Sequence, residues 1–132
     1  MWKGYLQQAQ QTTISTETVS TETVSAEFDW QQLSQLAGGD PDFEAELLAM
    51  FLGDAEESLR QLEYAIATKS IKNIESLAHS LRGASANVGA CALATVASQL
   101  EQTARKGKMT DACKLLRQLN IHRQRIQIQL QR

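Results

Sequence analysis

The sequence predicts an all-α fold: an antiparallel up-down-up-down four-helix bundle with a short extra N-terminal helix across one end. Seven Gly and one Pro among 132 residues are too few for an all-β protein, which needs a turn about every 8–12 residues. Apolar residues instead recur at spacings of three and four over four long segments, which is the period of an amphipathic helix. The short connections between these segments favour antiparallel neighbours.

Residues 1–27 differ in composition from the rest and are predicted to form a polar Ser/Thr-rich tether outside the bundle. Nine of the fourteen residues in 12–25 are Ser or Thr, and STETV occurs twice in tandem, at 15–19 and 20–24. An isolated strand here would have nothing to pair with, so a polar repetitive linker is the better interpretation. The bundle is therefore assigned to residues 28–132.

Caps and glycines delimit the first two helices. A short helix over 29–36 ends at the glycine pair 38–39, which favours a turn. Asp40 and Pro41 then supply an N-cap carboxylate and a proline at the first helical position, and the second helix runs to about Thr68. Its predicted buried face consists of Phe51, Ala55, Leu59, Leu62 and Ile66.

The last three helices follow the same pattern. Ser70 is the candidate cap of the third helix and Gly89 closes it. The fourth helix spans about 90–106 and ends at Gly107, and the fifth runs from about Thr110 to the C-terminus. The predicted buried residues are Ile74, Leu77, Leu81, Ser85 and Val88 in the third helix, Leu93, Ala97, Leu100 and Ala104 in the fourth, and Ala112, Leu116, Leu119 and Ile126 in the fifth.

Charge is divided unevenly along the chain. Residues 29–75 hold ten acidic and three basic residues, whereas residues 76–132 hold nine basic and two acidic residues. In the predicted topology the first and last long helices are neighbours, so the acidic and basic halves meet. Ordinary solvated helix faces would give the same pattern.

Composition excludes several classes of protein. With 42% hydrophobic residues and a net charge of −2, the chain is balanced like a soluble globular domain, and its mild acidity argues against a dedicated nucleic-acid binder. No apolar run approaches the roughly 18 residues of a membrane-spanning helix, and residues 1–10 lack the apolar stretch of a signal peptide. Cys91 and Cys113 fit neither a disulfide framework nor a zinc site. We expect a cytoplasmic monomer with reduced thiols, no membrane insertion and no nucleic-acid partner.

His79 lies outside the buried face of the third helix. The other histidine, His122, follows Leu119 by three residues and precedes Ile126 by four, so it borders the core stripe of the last helix. His122 is therefore expected to be partly buried or to act as a cation near the helix end. The residues on the outward face of His79 are polar or small: Lys72, Glu75, Ser76, Arg82, Gly83 and Ala86.

Gly83 and Arg82 indicate what an outward histidine could do. An exposed glycine within a helix costs about 1 kcal/mol relative to alanine, and Gly83 caps nothing because the helical pattern continues to Val88. A glycine that lowers helix stability without a capping role suggests a function. Here the missing side chain would leave a clear path to the imidazole. Arg82 can place a guanidinium against an anion on the ring. Since imidazole is neutral and nucleophilic at about pH 7, the pattern predicts a histidine that receives a phosphoryl group.

The stretch 77–90, LAHSLRGASANVGA, resembles the signature H-x-L-[KR]-G-x-[SA]-x-x-x-G of histidine-containing phosphotransfer (HPt) domains. The matching positions are His79, Leu81, Arg82, Gly83, Ser85 and Gly89. Upstream, residues 28–52 are similar to the family's short leading helix and its acidic-apolar second helix. Downstream, the family pattern L…LE is matched by Leu93, Leu100 and Glu101. The family more often has lysine in place of Arg82; arginine keeps the charge and adds planar, bidentate geometry.

The resemblance implies a phosphorelay intermediate. Nε2 of His79 would carry a phosphoryl group and exchange it with an aspartate of a response-regulator receiver domain; a sensor histidine kinase is a further candidate partner. The receiver would supply the aspartate and the Mg²⁺, so neither a cofactor nor a metal site is expected on this chain. The sequence has no Gly-rich phosphate-cradling loop, which predicts a phosphocarrier rather than an enzyme with its own ATP-binding kinase domain.

Other residues have weaker candidate roles. Glu101 matches a position where some relatives have a carboxylate or amide that hydrogen-bonds Nδ1 of the histidine ring. Such a bond would fix the tautomer and leave Nε2 to attack. The alternative is an ordinary exposed glutamate. Ser85 and Asn87 are expected to be packing and helix-end residues. Apolar side chains beside the main stripe of the second helix widen its apolar sector, and they either dock the partner or hold the first helix. The candidate docking residues are Phe43, Leu47, Met50, Ser76 and Ala86.

Two other classes of helical protein are alternatives to a phosphotransfer domain. A carboxylate-bridged di-metal bundle needs paired Glu-x-x-His elements, but Ser76 and Leu119 stand three residues before the two histidines, so that class fails on spacing. A non-catalytic adaptor would bind a protein or polyanion through the basic C-terminal helix, in a salt-sensitive way that survives loss of His79. The basic residues of that helix are Arg117, Arg123, Arg125 and Arg132. Whether the chain is the terminal module of a hybrid sensor kinase or a free-standing carrier stays open.

Overall fold

A computed structural model describes residues 27–130 of the chain, and the region 1–26 predicted as a tether lies outside the described residues. The described residues contain five helices and no strands, so the predicted all-α class is confirmed. None of these helices is long and apolar enough to cross a membrane. The helices are α1 (Trp30–Leu36), α2 (Pro41–Ala67), α3 (Ile71–Val88), α4 (Cys91–Arg105) and α5 (Met109–Leu130).

The four long helices contact one another in a ring. Helix α2 contacts α3 and α5, and α4 contacts the same two helices from the other side. These are the neighbours that a four-helix bundle requires, while the up-down-up-down order remains a prediction. The short helix α1 contacts α2 and α3, so it lies against one edge of the ring.

The start of α2 follows the sequence prediction. The Asp40 carboxylate accepts hydrogen bonds from the backbone N–H groups of Asp42, at 3.0 Å, and Phe43, at 3.4 Å, and Pro41 is the first helical residue. These bonds satisfy N–H groups that have no partner within the helix. At the start of α3, Ser70 occupies the N-cap position without a side-chain hydrogen bond.

Gly89, at the C-terminal end of α3, contacts the N-terminal end of α1. Its φ of +94° is left-handed, and a Cβ there would lie 2.6 Å from the backbone oxygen of Asp29, so only glycine fits. The Asp29 N–H donates to the Gly89 carbonyl at 2.7 Å. The Gln32 amide donates to the carbonyl groups of Ala86 and Asn87 at 2.7 and 3.0 Å. Helix α1 is therefore held at the C-terminal end of α3.

The core contains nearly every residue that periodicity assigned to it. All the predicted inner residues of α2 and α4 are buried. Two positions are wrong, because Leu77 and Leu116 are only partly buried against the core. Leu77 instead lines a groove between α2 and α3, and the neighbouring Ala78 is fully buried in its place. Glu27, one residue before the predicted start of the bundle, is also buried.

Candidate functional site on helices α3 and α4

His79 lies in the middle of α3 with 62% of its side chain exposed. Its helical neighbours Ala78 and Leu81 are buried, so the helix turns the imidazole away from the core as the periodicity predicts. One turn further along, Gly83 leaves open space, since a Cβ added there would have no neighbouring atom within 4 Å. No residue in the range 27–130 bonds Nε2 of His79. Nε2 thus has no hydrogen-bond partner among the described residues, and it belongs to a side chain that is mostly exposed.

Glu101 on α4 reaches the inner nitrogen of the ring. Its side chain is only 8% exposed, and its Oε2 lies 3.1 Å from Nδ1 of His79. The alternative of an ordinary exposed glutamate is therefore excluded. When Nδ1 carries a proton and donates it to the carboxylate, Nε2 keeps its lone pair.

Arg82 contacts both members of this pair. Its Nε donates to Oε1 of Glu101 at 3.3 Å, and its Nη2 lies 2.9 Å from Nδ1 of His79. With 42% of the side chain exposed, the guanidinium borders solvent beside the ring. The spacing of three residues on α3 thus brings the guanidinium beside the ring, while its role toward a phosphoryl group stays a prediction.

Arg105 and Glu75 complete the charged cluster around Glu101, and Arg105 was not among the residues predicted from the sequence. The Nη2 of Arg105 donates to Oε2 of Glu101 at 2.9 Å, and its Nε donates to the Glu75 carboxylate. The bond to Glu75 is the main cause that raises the pKa of Arg105. Arg105 follows Glu101 by four residues and Glu75 precedes His79 by four. This i,i+4 spacing was the available signal, but it does not show that one guanidinium joins α3 to α4.

The charged side chains around His79 have both signs. Two carboxylates, Glu75 and Glu101, face two guanidiniums, Arg82 and Arg105. Lys72, which lines the depression beside the ring, adds a third cation to this cluster. The ring borders a shallow depression of about 260 Å³, whose lining residues are Lys72, Glu75, Ser76, His79 and Glu101.

The candidate docking residues do not share one environment. Phe43 is 43% exposed and Met50 66% exposed on α2, whereas Leu47 between them is half-buried against the core. Ser76 and Ala86 are exposed on α3. Between α2 and α3 runs an open groove of about 550 Å³, lined by Glu57, Arg60, Gln61, Tyr64, Ala65, Asn73, Ser76 and Leu77. The groove reaches the face of His79 through Ser76.

The second histidine has a different setting. His122 on α5 has 17% of its side chain exposed, and its Nδ1 lies 2.9 Å from Oε2 of Glu27. Arg125 places Nη1 3.6 Å from the other oxygen of Glu27. This agrees with the expected partly buried histidine, although the partner Glu27 was assigned to the tether.

The two thiols lie apart from the His79 site. Cys91 is half-buried and Cys113 exposed, and both are free; burial is the main cause that raises the pKa of the Cys91 thiol. Within residues 27–130, no group of three or more His, Cys, Asp or Glu side chains could hold a metal ion. Ser85 is fully buried with no hydrogen-bond partner for its hydroxyl, as a packing residue.

A family model described as the Hpt domain matches residues 46–131, a range that includes His79, Arg82, Gly83 and Glu101. The chain belongs to the Hpt domain family. Membership assigns it a phosphotransfer role in two-component signalling, and it confirms the resemblance stated from the sequence. No curated protein matches the chain.

Two solved structures are similar to this Hpt chain. Histidine-containing phosphotransfer protein B (HptB) from Pseudomonas aeruginosa PAO1 has 31% sequence identity and a TM-score of 0.74. The match covers 80% of this chain and 91% of that protein. A rice protein assigned as a histidine-containing phosphotransfer protein has 20% identity and a TM-score of 0.69, over 99% of this chain and 92% of its own. At that identity the rice protein supports the fold alone.

Proposed function

We propose that this chain is a phosphorelay intermediate that carries a phosphoryl group on Nε2 of His79 and exchanges it with an aspartate of a receiver domain. The observation that carries the proposal is the pairing of an exposed ring with a buried carboxylate. Nδ1 of His79 lies 3.1 Å from Oε2 of Glu101, whereas 62% of the side chain faces solvent. The ring is thus held at one nitrogen and accessible at the other.

The transfer step needs only the histidine from this chain. The Nε2 lone pair attacks the phosphorus of the receiver's aspartyl phosphate, the N–P bond forms, and the P–O bond electrons return to the aspartate carboxylate. The proton on Nδ1 stays in place, so the ring gains a positive charge. The Glu101 carboxylate, 3.1 Å away, stabilises that charge. The reverse step uses the same groups.

Arg82 and Gly83 assist at the outer nitrogen. Arg82 is the candidate cation for the phosphoryl oxygens, because its exposed guanidinium already lies beside the ring and positive charge stabilises a phosphoryl group in transfer. Gly83 is the candidate access residue, since it lies one helical turn after His79 and a Cβ there would meet no neighbouring atom within 4 Å. A bulky side chain at that position would stand between His79 and the receiver.

The partner is proposed to dock on α2 and α3 around His79. Exposed apolar surface at Phe43 and Met50, together with Ser76 and Ala86, supports this placement. Leu47 contributes less because it packs against the core.

The ring of helix contacts supports an antiparallel up-down-up-down bundle with α1 across one end. We further propose a cytoplasmic, monomeric carrier that takes its Mg²⁺ and aspartate from the receiver and lacks kinase activity of its own.

Transfer from phosphorylated receiver domains tests this function. Wild-type protein should remove the phosphoryl group from at least one receiver of a panel, and His79→Gln should remove it from none. His79→Gln should retain the wild-type melting temperature because the side chain lies outside the core. A His79→Gln variant that still transfers would contradict the assignment. Salt-sensitive polyanion binding that survives this substitution, with no transfer by the wild type, would favour the adaptor function.

A further inference from the structure

Nδ1 of His79 has two potential partners that cannot both bond to it. Oε2 of Glu101 lies at 3.1 Å and Nη2 of Arg82 at 2.9 Å. The carboxylate can only accept a hydrogen bond, and the guanidinium can only donate one. A protonated Nδ1 therefore bonds Glu101 and opposes Arg82, whereas an unprotonated Nδ1 bonds Arg82 and opposes Glu101.

The choice of partner decides which nitrogen is nucleophilic. In a neutral imidazole the single proton sits on one nitrogen, and the other nitrogen holds the lone pair. With Glu101 as partner the proton is on Nδ1, and Nε2 can attack phosphorus. With Arg82 as partner the proton is on Nε2, so the outer nitrogen has no lone pair to offer.

We propose that Arg82 sets the tautomer of unphosphorylated His79 by competing with Glu101 for Nδ1, and that it holds part of the population in the unreactive tautomer. This inference rests on the proposed function for its consequence, since the tautomer matters only if Nε2 accepts a phosphoryl group. Arg82 thereby has two successive partners: Nδ1 in the free protein and the phosphoryl oxygens during transfer.

The arriving phosphoryl group releases the ring. Arg82 is 42% exposed and bonds Oε1 of Glu101 at 3.3 Å, so its guanidinium can turn from Nδ1 to the more strongly charged phosphoryl oxygens by giving up that one long bond. Once it leaves, Glu101 is the remaining partner of Nδ1 and draws the proton to that nitrogen. Arg105 holds the same Oε2 at 2.9 Å, which keeps the carboxylate in place while Arg82 moves. The arriving phosphoryl group thus favours the tautomer with the proton on Nδ1, in which Nε2 can accept it.

The tautomer ratio of His79 is the direct measurement. ¹⁵N NMR of the selectively labelled, unphosphorylated full chain distinguishes a protonated ring nitrogen from a bare one, at a pH where titration shows the ring neutral. Arg82→Ala should raise the ratio of Nδ1–H to Nε2–H about two- to tenfold, the factor that one net hydrogen bond represents. Glu101 keeps its Arg105 partner in this variant, so the carboxylate stays paired.

Two further variants make the result specific. Glu101→Ala should move the ratio in the opposite direction, because Arg82 is then the remaining partner of Nδ1. Arg60→Ala removes an arginine whose partner is Glu57 on α2 and should leave the ratio unchanged. An unchanged ratio in Arg82→Ala, or an equal change in Arg60→Ala, would overturn the inference. Because the spectra need no transfer, a chain that shows the shift but accepts no phosphoryl group would refute the proposed function alone.

Discussion

His79 and His122 have the same set of neighbouring groups. Each has a glutamate oxygen near Nδ1, Glu101 at 3.1 Å for His79 and Glu27 at 2.9 Å for His122. Each also has an arginine three residues later on its own helix that approaches the other oxygen of that glutamate. These distances are 3.3 Å for Arg82 and 3.6 Å for Arg125. The His-Arg-Glu set alone therefore does not separate a reactive histidine from a structural one.

Access separates the two histidines. The His79 side chain is 62% exposed and that of His122 17%. Four residues after His79 stands Gly83, with open space where a Cβ would be; four residues after His122 stands Ile126, which is buried in the core. In the proposed function, the His79–Glu101 pair orients a ring for chemistry. The His122–Glu27 pair connects the N-terminal end of the described residues to α5.

Blocking access should have the largest effect on transfer. Gly83→Leu should make His79 resemble His122 and slow transfer about 100-fold or more, the loss that a displacement of about 1 Å can cause. Single-turnover transfer with one receiver measures the rate. Gly53→Leu is the matched control, because Gly53 is also an exposed helical glycine with open space. Since Gly53 lies three residues after Met50, the comparison is made at saturating receiver, where Gly53→Leu should transfer at the wild-type rate.

The stability of the alanine variants sharpens the same point. Gly83→Ala and Gly53→Ala should each raise the free energy of unfolding by up to about 1 kcal/mol, while Gly83→Ala alone slows transfer. Chemical denaturation measures the first quantity. Clear destabilisation by Gly83→Ala would mean that the glycine serves packing and not access.

Removing the cation should have the next largest effect. Arg82→Ala should slow transfer about tenfold, less than the roughly 100-fold or greater loss for a fully buried donor, because Arg82 is partly exposed. Its melting temperature should stay close to that of the wild type, because the buried Glu101 carboxylate keeps its ion pair with Arg105. Arg82→Lys should recover most of the rate because a point charge still reaches the phosphoryl group. Wild-type rates in both variants, together with an unchanged tautomer ratio of His79 in Arg82→Ala, would leave Arg82 as an ordinary surface charge.

The docking surface should affect binding more than chemistry. Met50→Ser and Phe43→Ser should raise the receiver concentration needed for half-maximal transfer several-fold, with little change in the maximal rate. Ile128→Ser on α5 is the control, because Ile128 is 58% exposed, close to the 66% of Met50. Equal effects of Met50→Ser and Ile128→Ser would place docking elsewhere.

His122 should show the reverse pattern of His79. His122→Ala leaves the buried Glu27 without its closest partner and should lower the free energy of unfolding by about 1–3 kcal/mol, with transfer unchanged at temperatures where the variant is folded. Denaturation and transfer on the same preparation measure both. Slower transfer by fully folded His122→Ala would show that the two histidines are not separate in function.

Local pattern was enough to predict the helices and the outward direction of His79. Spacings of three and four identify the buried faces, and Asp40, Pro41 and Gly89 mark helix boundaries because each meets a specific backbone requirement. The predicted full burial of Leu77 is wrong, because helical periodicity does not tell which residues at the edge of an apolar face line a groove between helices. Ala78 takes the fully buried position beside it.

Contacts between distant segments could not be predicted in this way. The bond of Arg105 to Glu75 crosses between α3 and α4, and the Glu27–His122 pair joins residues 95 positions apart. Ion pairs between helices depend on side-chain reach and on the relative rotation of the helices, which spacing within one helix does not determine. The resemblance to Hpt domains supplied Glu101 as a candidate, and its burial against Nδ1 came from the structure.

Locating the phosphoryl group on the wild-type chain tests the account directly. The protein is incubated with a phosphorylated receiver, digested under alkaline conditions that preserve phosphohistidine, and the modified residue is identified by mass spectrometry. The account predicts phosphorylation at His79 and none at His122, although both histidines have a glutamate and an arginine beside them. Phosphorylation of His122, or transfer to the chain that leaves His79 unmodified, would contradict it.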